Sequence, residues 1–345
     1  MKTKIIISFL TLILLSNCKE KSKIETFKKF PRKIELKGKK SGLKPLFKLA
    51  TINIFDSLLI ISNTKRSLNT IHLYNKKNLQ KIFSTGEIGP GPKEIKNPGF
   101  YKFNQEKGSL LTPDWGRGKI FEWDLDSILQ KKTTYWPNNY YVTPSSIWPI
   151  TTYSFFNDSI ILFRVDNPEY YFYAANNKGE VIDSMCIKDK SEIYSNINRT
   201  DLMSKIWYQH IIHPDKNKIF IAYKYADIIV GIDFKGNIIF RKQGPDMIKE
   251  NPADKQLKRT YYPLKSTEKY VFGLYFGYYP RKGQKHTTKY PKKIFVYNWK
   301  GDPIVQLILE HPTMSFDIDK ENNRIITYAA DLGEVVCYDI PTFLL

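Results

Sequence analysis

Asp227-Ile-Ile-Val-Gly-Ile-Asp-Phe-Lys-Gly-Asn-Ile-Ile-Phe-Arg-Lys-Gln243 reads as strand, tight turn, strand. An apolar run ends at Ile232, polar residues occupy Asp233 to Asn237, and a second apolar run spans Ile238 to Arg241. Turn residues bracketed by β-branched and aromatic runs predict a hairpin. The pattern recurs. Tyr297-Asn-Trp-Lys-Gly301 and Ala175-Asn-Asn-Lys-Gly179 repeat it closely, and looser copies stand at Tyr74-Asn-Lys-Lys77, Trp123-Asp-Leu-Asp126 and Tyr338-Asp-Ile-Pro341. The six turns are anchored at residues 75, 124, 176, 233, 298 and 339, so they lie 41 to 65 residues apart. An all-strand repeat of this size predicts a β-propeller, because a single blade cannot bury its own faces.

Each turn is preceded by two further strands. The nearer one is a turn followed by an apolar run, as in Asp56-Ser-Leu-Leu-Ile-Ile61, Asp158-Ser-Ile-Ile-Leu-Phe163 and Asn323-Arg-Ile-Ile-Thr-Tyr328. The farther one falls near residues 46–55, 99–104, 147–156, 207–213, 260–266 and 313–318. The expected fold is all-β: a six-bladed propeller of four-stranded blades. After the last turn the chain stops at Leu345, leaving little room for a sixth fourth strand. Arg32-Lys-Ile-Glu-Leu-Lys37 alternates polar and apolar residues and has no place in blade one. An N-terminal strand there would complete the last blade and remove an open sheet edge.

At 345 residues, with 42% apolar and 14% aromatic residues, one large packed domain is expected over residues 31–345. The formal charge is +20, yet Arg supplies only 9 of the 54 basic residues. Arg is the side chain that grips phosphate and base edges bidentately, so a Lys-dominated surface argues against nucleic acid. Cys18, Cys186 and Cys337 form neither a disulfide framework nor a metal-ligand spacing, and the last two fall on strands where buried free thiols are expected.

Residues 1–17 read as a signal peptide. Lys2 and Lys4 make a charged start, and Ile5 to Leu15 an apolar run too short to span a bilayer. The run ends in Leu15-Ser-Asn-Cys18, which resembles the bacterial lipobox, with Asn17 where Gly, Ala or Ser is usual. The resemblance implies lipidation at Cys18 and thus membrane anchoring. Lys19 follows in place of an Asp, which by the same resemblance favours the outer membrane, periplasmic or surface-facing. The Lys-rich residues 18–30 lack strand alternation and read as a flexible tether.

Alternate connections of a four-strand meander lie on opposite faces. One face receives most of the long segments: Thr85–Pro98, Gln130–Ser146, Ile187–Lys205, Gly244–Lys258 and Gly277–Lys293. Insertions gathered on one face of a repeat protein mark a binding face. These segments, and the turn that holds Trp115 and Arg117, carry aromatic and cationic residues; Trp115, Arg117, Trp136, Tyr140, Tyr278, Tyr279 and Arg281 are the candidate binding residues. Such side chains stack on sugars or meet an acidic partner; the competing role is to pack over the propeller rim.

Catalytic motifs are not found. Gly86-Glu-Ile-Gly-Pro-Gly-Pro92 lacks the Gly-Lys-Ser/Thr that opens a phosphate-binding helix, and reads as a rigid loop between blades. His210 and His213, three apart on a strand, face opposite sides of the sheet and converge poorly on a metal. No Gly-x-Ser-x-Gly elbow is present. No catalytic residue, metal site or cofactor is therefore assigned. The leading expectation is a binding scaffold for an envelope protein or polysaccharide. The alternative is a Ca²⁺-dependent hydrolase or lyase whose carboxylates converge at the channel mouth.

Two stretches are similar to a family of TolB-like six-bladed β-propeller lipoproteins of Gram-negative bacteria. They are Gly86-Glu-Ile-Gly-Pro-Gly-Pro-Lys-Glu94 with Asn97-Pro98, and the region from Tyr270-Val-Phe-Gly-Leu-Tyr-Phe-Gly277 through Ile294-Phe-Val-Tyr-Asn-Trp-Lys-Gly301 to Tyr338-Asp339. The resemblance implies the fold and a cell-envelope address, and it supplies no catalytic residues.

Overall fold

A computed structural model describes residues 24–44, 50–63, 69–104, 107–132, 135–165, 167, 169–186, 207–247, 258–278 and 290–345. Within them the chain forms six sheets, each built on antiparallel blade strands. Blade one is Ala50–Phe55, Leu58–Asn63, Asn69–Asn75 and Lys81–Glu87; blade two is Lys102–Asn104, Ser109–Asp114, Lys119–Asp124 and Tyr140–Val142. Blade three runs from Ile150–Asn157 to Val181–Cys186, and blade four from Tyr208–Ile212 to Ile238–Gln243. Blade five begins at Arg259–Ser266 and ends at Pro303–Leu309. Blade six contributes Thr313–Asp319, Arg324–Ala329 and Glu334–Asp339. The first strands contact one another from blade two through blades three, four, five and six to blade one, around the axis.

The recurring turns work through one device. The Asx side chain at the turn's start accepts backbone N–H groups that the ladder leaves unpaired. Asp233 Oδ1 accepts from the Lys235 and Asn237 amides at 2.8 Å each, and Asn298 Oδ1 from those of Lys300 and Asp302 at 2.9 Å. Gly236, at φ +76°, takes the left-handed conformation that closes the turn. Trp123–Asp126 departs from this. Asp124 caps a short helix, Leu125–Lys131, by accepting from the Ser127 amide at 2.6 Å, and Leu125 and Ile128 bury the helix on the blade. The third-to-fourth connection of blade two is therefore long and lies on the tight-turn face.

Apolar burial is interblade. Phe172, Met185, Ile219 and Val230 close the seam between blades three and four; Ile52, Ile61, Ile326 and Val335 close the seam between one and six. Leu111, Tyr153 and Phe163 join two to three, and Phe272, Val296, Phe316 and Val336 join five to six. Each seam depends on both of its blades.

The last blade is completed by an N-terminal strand, but not the expected one. Gly38–Lys40 pairs antiparallel with the last strand of blade six, placing Lys39 opposite Cys337. Lys33–Leu36 instead pairs in parallel with the outer strand of blade five, Ile34 opposite Leu307. The alternation explains the choice: Leu36 is buried among Leu307 and Leu309, whereas Gly-Lys-Lys offers mainly backbone. Gly38 is needed where it sits, since a Cβ there would lie 2.7 Å from Val336 Cγ1. The tether boundary also moves. Glu25–Thr26 pairs in parallel with Lys242–Gln243, and Phe30 is buried against Phe295 and Tyr297. Of the thiols, Cys337 is buried as expected, while Cys186 is exposed because it ends an outer strand.

Removing residues 24–40 would uncover the outer edges of blades four, five and six together. The expected outcome is a loss of several kcal/mol and faster aggregation, read by thermal unfolding and light scattering. Unchanged unfolding would show that the ring holds without this closure.

Candidate functional site

The second-to-third and fourth-to-first connections share the face opposite the Asx turns. On it, the loop after blade one is locked by a buried carboxylate. Asp114 is fully buried; its Oδ1 accepts from the Asn97 amide at 3.0 Å and its Oδ2 from the Lys96 amide at 3.0 Å. Arg117 donates to Asp114 Oδ2 at 3.0 Å and to the carbonyls of Pro90, Gly91 and Glu94. The Gly-rich segment is thus the rigid interblade loop that its prolines indicate. Arg117, a candidate for ligand contact, spends its guanidinium on the loop's own backbone.

Trp115 leaves the same turn and packs edge-on against Trp148 at 6.3 Å and Tyr153 at 6.2 Å. With Pro98, Gly99, Phe100, Thr151 and Thr152 it lines a pocket of ≈ 230 Å³. Phe100, 48% exposed, reaches from blade two to Tyr262 of blade five, with ring centroids 6.2 Å apart. Trp148, 56% exposed, stands at the pocket's side.

A second cluster shares this mouth. Arg164 ends the second strand of blade three, lies 4.2 Å from the Tyr208 ring centroid and donates to Thr151 Oγ1 at 3.0 Å. Lys224, in the second-to-third turn of blade four, sits 4.1 Å from the Trp207 centroid and 5.2 Å from that of Tyr225. Burial first, then Arg259 and Arg164, lower the Lys224 pKa to about 8. Arg259 opens blade five opposite Tyr278. None of Arg164, Trp207, Lys224 or Arg259 was singled out from sequence: they sit near strand ends in four separate stretches.

The other candidates divide. Tyr278 belongs to this mouth. Trp136 and Tyr140 do not; they pack on the outer half of blade two, Trp136 at 5.2 Å from Trp123 and Tyr140 beneath Lys119 Nζ at 3.7 Å. The helix Leu125–Lys131 puts this connection on the opposite face, which spacing alone had hidden. Cys18, Tyr279 and Arg281 lie outside the described residues.

Deeper in the channel, Lys265 of blade five donates to the Ile52 carbonyl at 3.1 Å and to Asn53 Oδ1 at 3.0 Å, and pairs with Asp317 Oδ2 at 2.9 Å. It thereby ties blades one, five and six across the axis. Lys102 of blade two is held down to about pKa 8, by burial and then by Lys265. His210 is buried against Phe172, with Ser154 Oγ 2.6 Å from its Nε2; His213 packs on Trp299 instead. Among the described residues no three His, Cys, Asp or Glu side chains gather as metal ligands would.

Beneath the mouth, Asp227 is buried at the blade four–five seam. Its carboxylate accepts from the Tyr261 hydroxyl and from the Asp246 amide, each at 2.9 Å, and Tyr261 contacts the Tyr297 hydroxyl at 2.8 Å. Burial raises its pKa to about 6, against the opposing hydrogen bond from Tyr261.

Residues 28–321 match the family described as TolB-like 6-blade propeller-like. The chain belongs to that family. This TolB-like propeller is similar in structure to a member of the DUF4221 family from Bacteroides vulgatus, at a TM-score of 0.58 and 12% identity, over 86% of this chain and 94% of the other. It is also similar to a Bacteroides fragilis protein named for its expected export, at a TM-score of 0.52 and 13% identity, over 92% and 99% of the two chains. At these identities the likeness concerns the fold. No curated protein matches the sequence.

Asp114→Ala leaves Arg117 without its carboxylate and the amides of Lys96, Asn97 and Gly116 without their acceptor. A loss of about 3–5 kcal/mol is expected, with new protease cleavage in residues 86–98. Asp227 makes a separate prediction. Its folded pKa lies above the unfolded value, so its stabilising contribution is full below the unfolded pKa and is lost as pH rises through about 6. In urea unfolding, wild type should gain on Asp227→Asn by on the order of 2 kcal/mol between about pH 7.5 and about pH 4.5. A pH-independent difference would refute that assignment.

Proposed function

We propose that this chain is a cell-envelope lipoprotein, acylated at Cys18 and held at the outer membrane, that acts as a binding module for a protein or glycan. The observation that carries the binding reading is the grouping of Phe100, Trp115, Trp148, Lys224 and Arg259 at one mouth of the channel. Rings with nearby cations are the side chains that recognise sugars and acidic surfaces. The address rests on the charged start, the short apolar run and Leu15-Ser-Asn-Cys18. Among the described residues no helix is long and apolar enough to cross a membrane; in this reading the acyl chains on Cys18 hold the protein at the bilayer.

The anchor also constrains orientation. The docked chain begins at Glu25, on the outer edge of blade four. Seven residue steps from Cys18 reach no more than roughly 25 Å. That edge is held near the bilayer, and the mouth stays accessible from the side.

A photoreactive residue placed at Trp148, on the mouth, tests the reading in intact cells against one placed at Ile182, on the outer strand of blade three. Capture of a discrete partner or glycan from Trp148 alone is expected. Equal capture from both positions, or from neither, counts against a binding mouth. Independently, Cys18→Ala should move the protein out of the membrane fraction.

A further inference from the structure

The mouth has an unusual charge balance. Three strand ends meet there: the Lys224 amide donates to the Trp207 carbonyl at 2.6 Å, and the Thr260 amide donates to the Lys224 carbonyl at 2.8 Å. This fixes Lys224 beside Arg259, the residue before Thr260. Arg164 approaches the same ring from blade three, 5.7 Å from the Trp207 centroid. Arg164 is committed to Thr151 and to the face of Tyr208. Among the described residues no carboxylate pairs with Lys224 or Arg259, and Arg259 Nε is buried without a hydrogen-bond partner. Like charges held together in a half-buried site, with no counter-charge among the described residues, repel by an amount that an anion would relieve. Burial first, and then that repulsion, holds the Lys224 pKa down.

The neighbouring pocket narrows the ligand. Its polar lining includes Thr151, whose hydroxyl bonds Arg164, and Thr152, and its apolar lining includes Phe100 and Trp115. Hydroxyls together with ring faces suit a sugar, whose C–H face stacks on an aromatic ring while its hydroxyls exchange hydrogen bonds. The Arg164–Thr151 hydrogen bond joins pocket and cations into one surface. A guanidinium beside an ammonium matches a carboxylate, the guanidinium supplying two parallel donors.

We infer that Lys224 and Arg259 form the anion subsite of this mouth and take the carboxylate of an acidic saccharide whose ring occupies the pocket of Phe100, Trp115, Thr151 and Thr152. The inference rests on the binding reading above and gives it a ligand class. A free anion would use the two cations alone; an acidic sugar uses the cations and the pocket together.

Calorimetric titration of the purified full chain with a galacturonate hexamer and a hyaluronan hexasaccharide tests it, with maltohexaose as the neutral comparison and free citrate as the anion without a ring. Wild type should bind at least one acidic oligomer and bind maltohexaose and citrate at least roughly tenfold more weakly. Lys224→Gln/Arg259→Gln should weaken acidic binding by about tenfold or more, and Lys224→Arg/Arg259→Lys, which keeps both charges, should retain most of it. Thr152→Val should weaken the oligomer without changing citrate. Circular dichroism and the thermal midpoint establish that each variant is folded. Equal binding of maltohexaose, unchanged affinity in the double Gln variant, or no binding of either acidic oligomer overturns the inference. A partner still captured at Trp148 in the double Gln variant would leave the binding reading standing while this ligand class falls; loss of all capture in wild type removes both.

Discussion

A blade of this protein has two apolar faces and can bury neither by itself. Every other feature follows from that constraint. The seams between neighbours hold the core, so every blade needs a neighbour on each side and only a closed ring buries all the seams. Closing it leaves two kinds of bare strand edge, and the chain covers both. At the rim, Glu25–Thr26, Lys33–Leu36 and Gly38–Lys40 pair with blades four, five and six in turn. At the axis, side chains do the work: Ser315 and Asp317 accept from the Ile52 and Ile54 amides at 2.9 and 2.8 Å. Lys265 then donates to the Ile52 carbonyl from across the channel.

The two faces of the ring differ because the two kinds of connection differ. Asx turns are short, satisfy their own amides and leave little surface for recognition. The opposite connections are longer and need anchors. Asp114 and Asp227 are such anchors, each fully buried at one end of a second-to-third connection; Asp114 accepts the Lys96 and Asn97 amides and Asp227 that of Asp246. These anchors fix the connections on which the rings and cations of the mouth stand.

Several elements were legible in the sequence because the signal is local. The turn at Asp233–Asn237 declares itself through an Asx acceptor and a glycine three residues on, and the inner strands fall within a few residues of their expected places. The rigidity of residues 86–98 was legible from its prolines, though not its cause. Asp114 is 18 residues from the Lys96 amide that it holds, and nothing in the spacing marks the pair. Trp136 and Tyr140 were misplaced for a local reason: Asp124 reads equally as a turn residue and as a helix cap, and the burial of Leu125 and Ile128 selects the helix.

By itself, then, the sequence determined the repeat, the strand count of each blade and the need for an N-terminal strand at the closure, since alternation and turn chemistry act over a few residues. Tertiary structure decided the rest. Which N-terminal strand seals which blade depends on the apolar edge that each meets, and so Ile34 and Leu36 go to blade five and Gly38 to blade six. The mouth is likewise a product of closure: Arg164, Lys224 and Arg259 come from three blades, and only the ring brings their charges into one field.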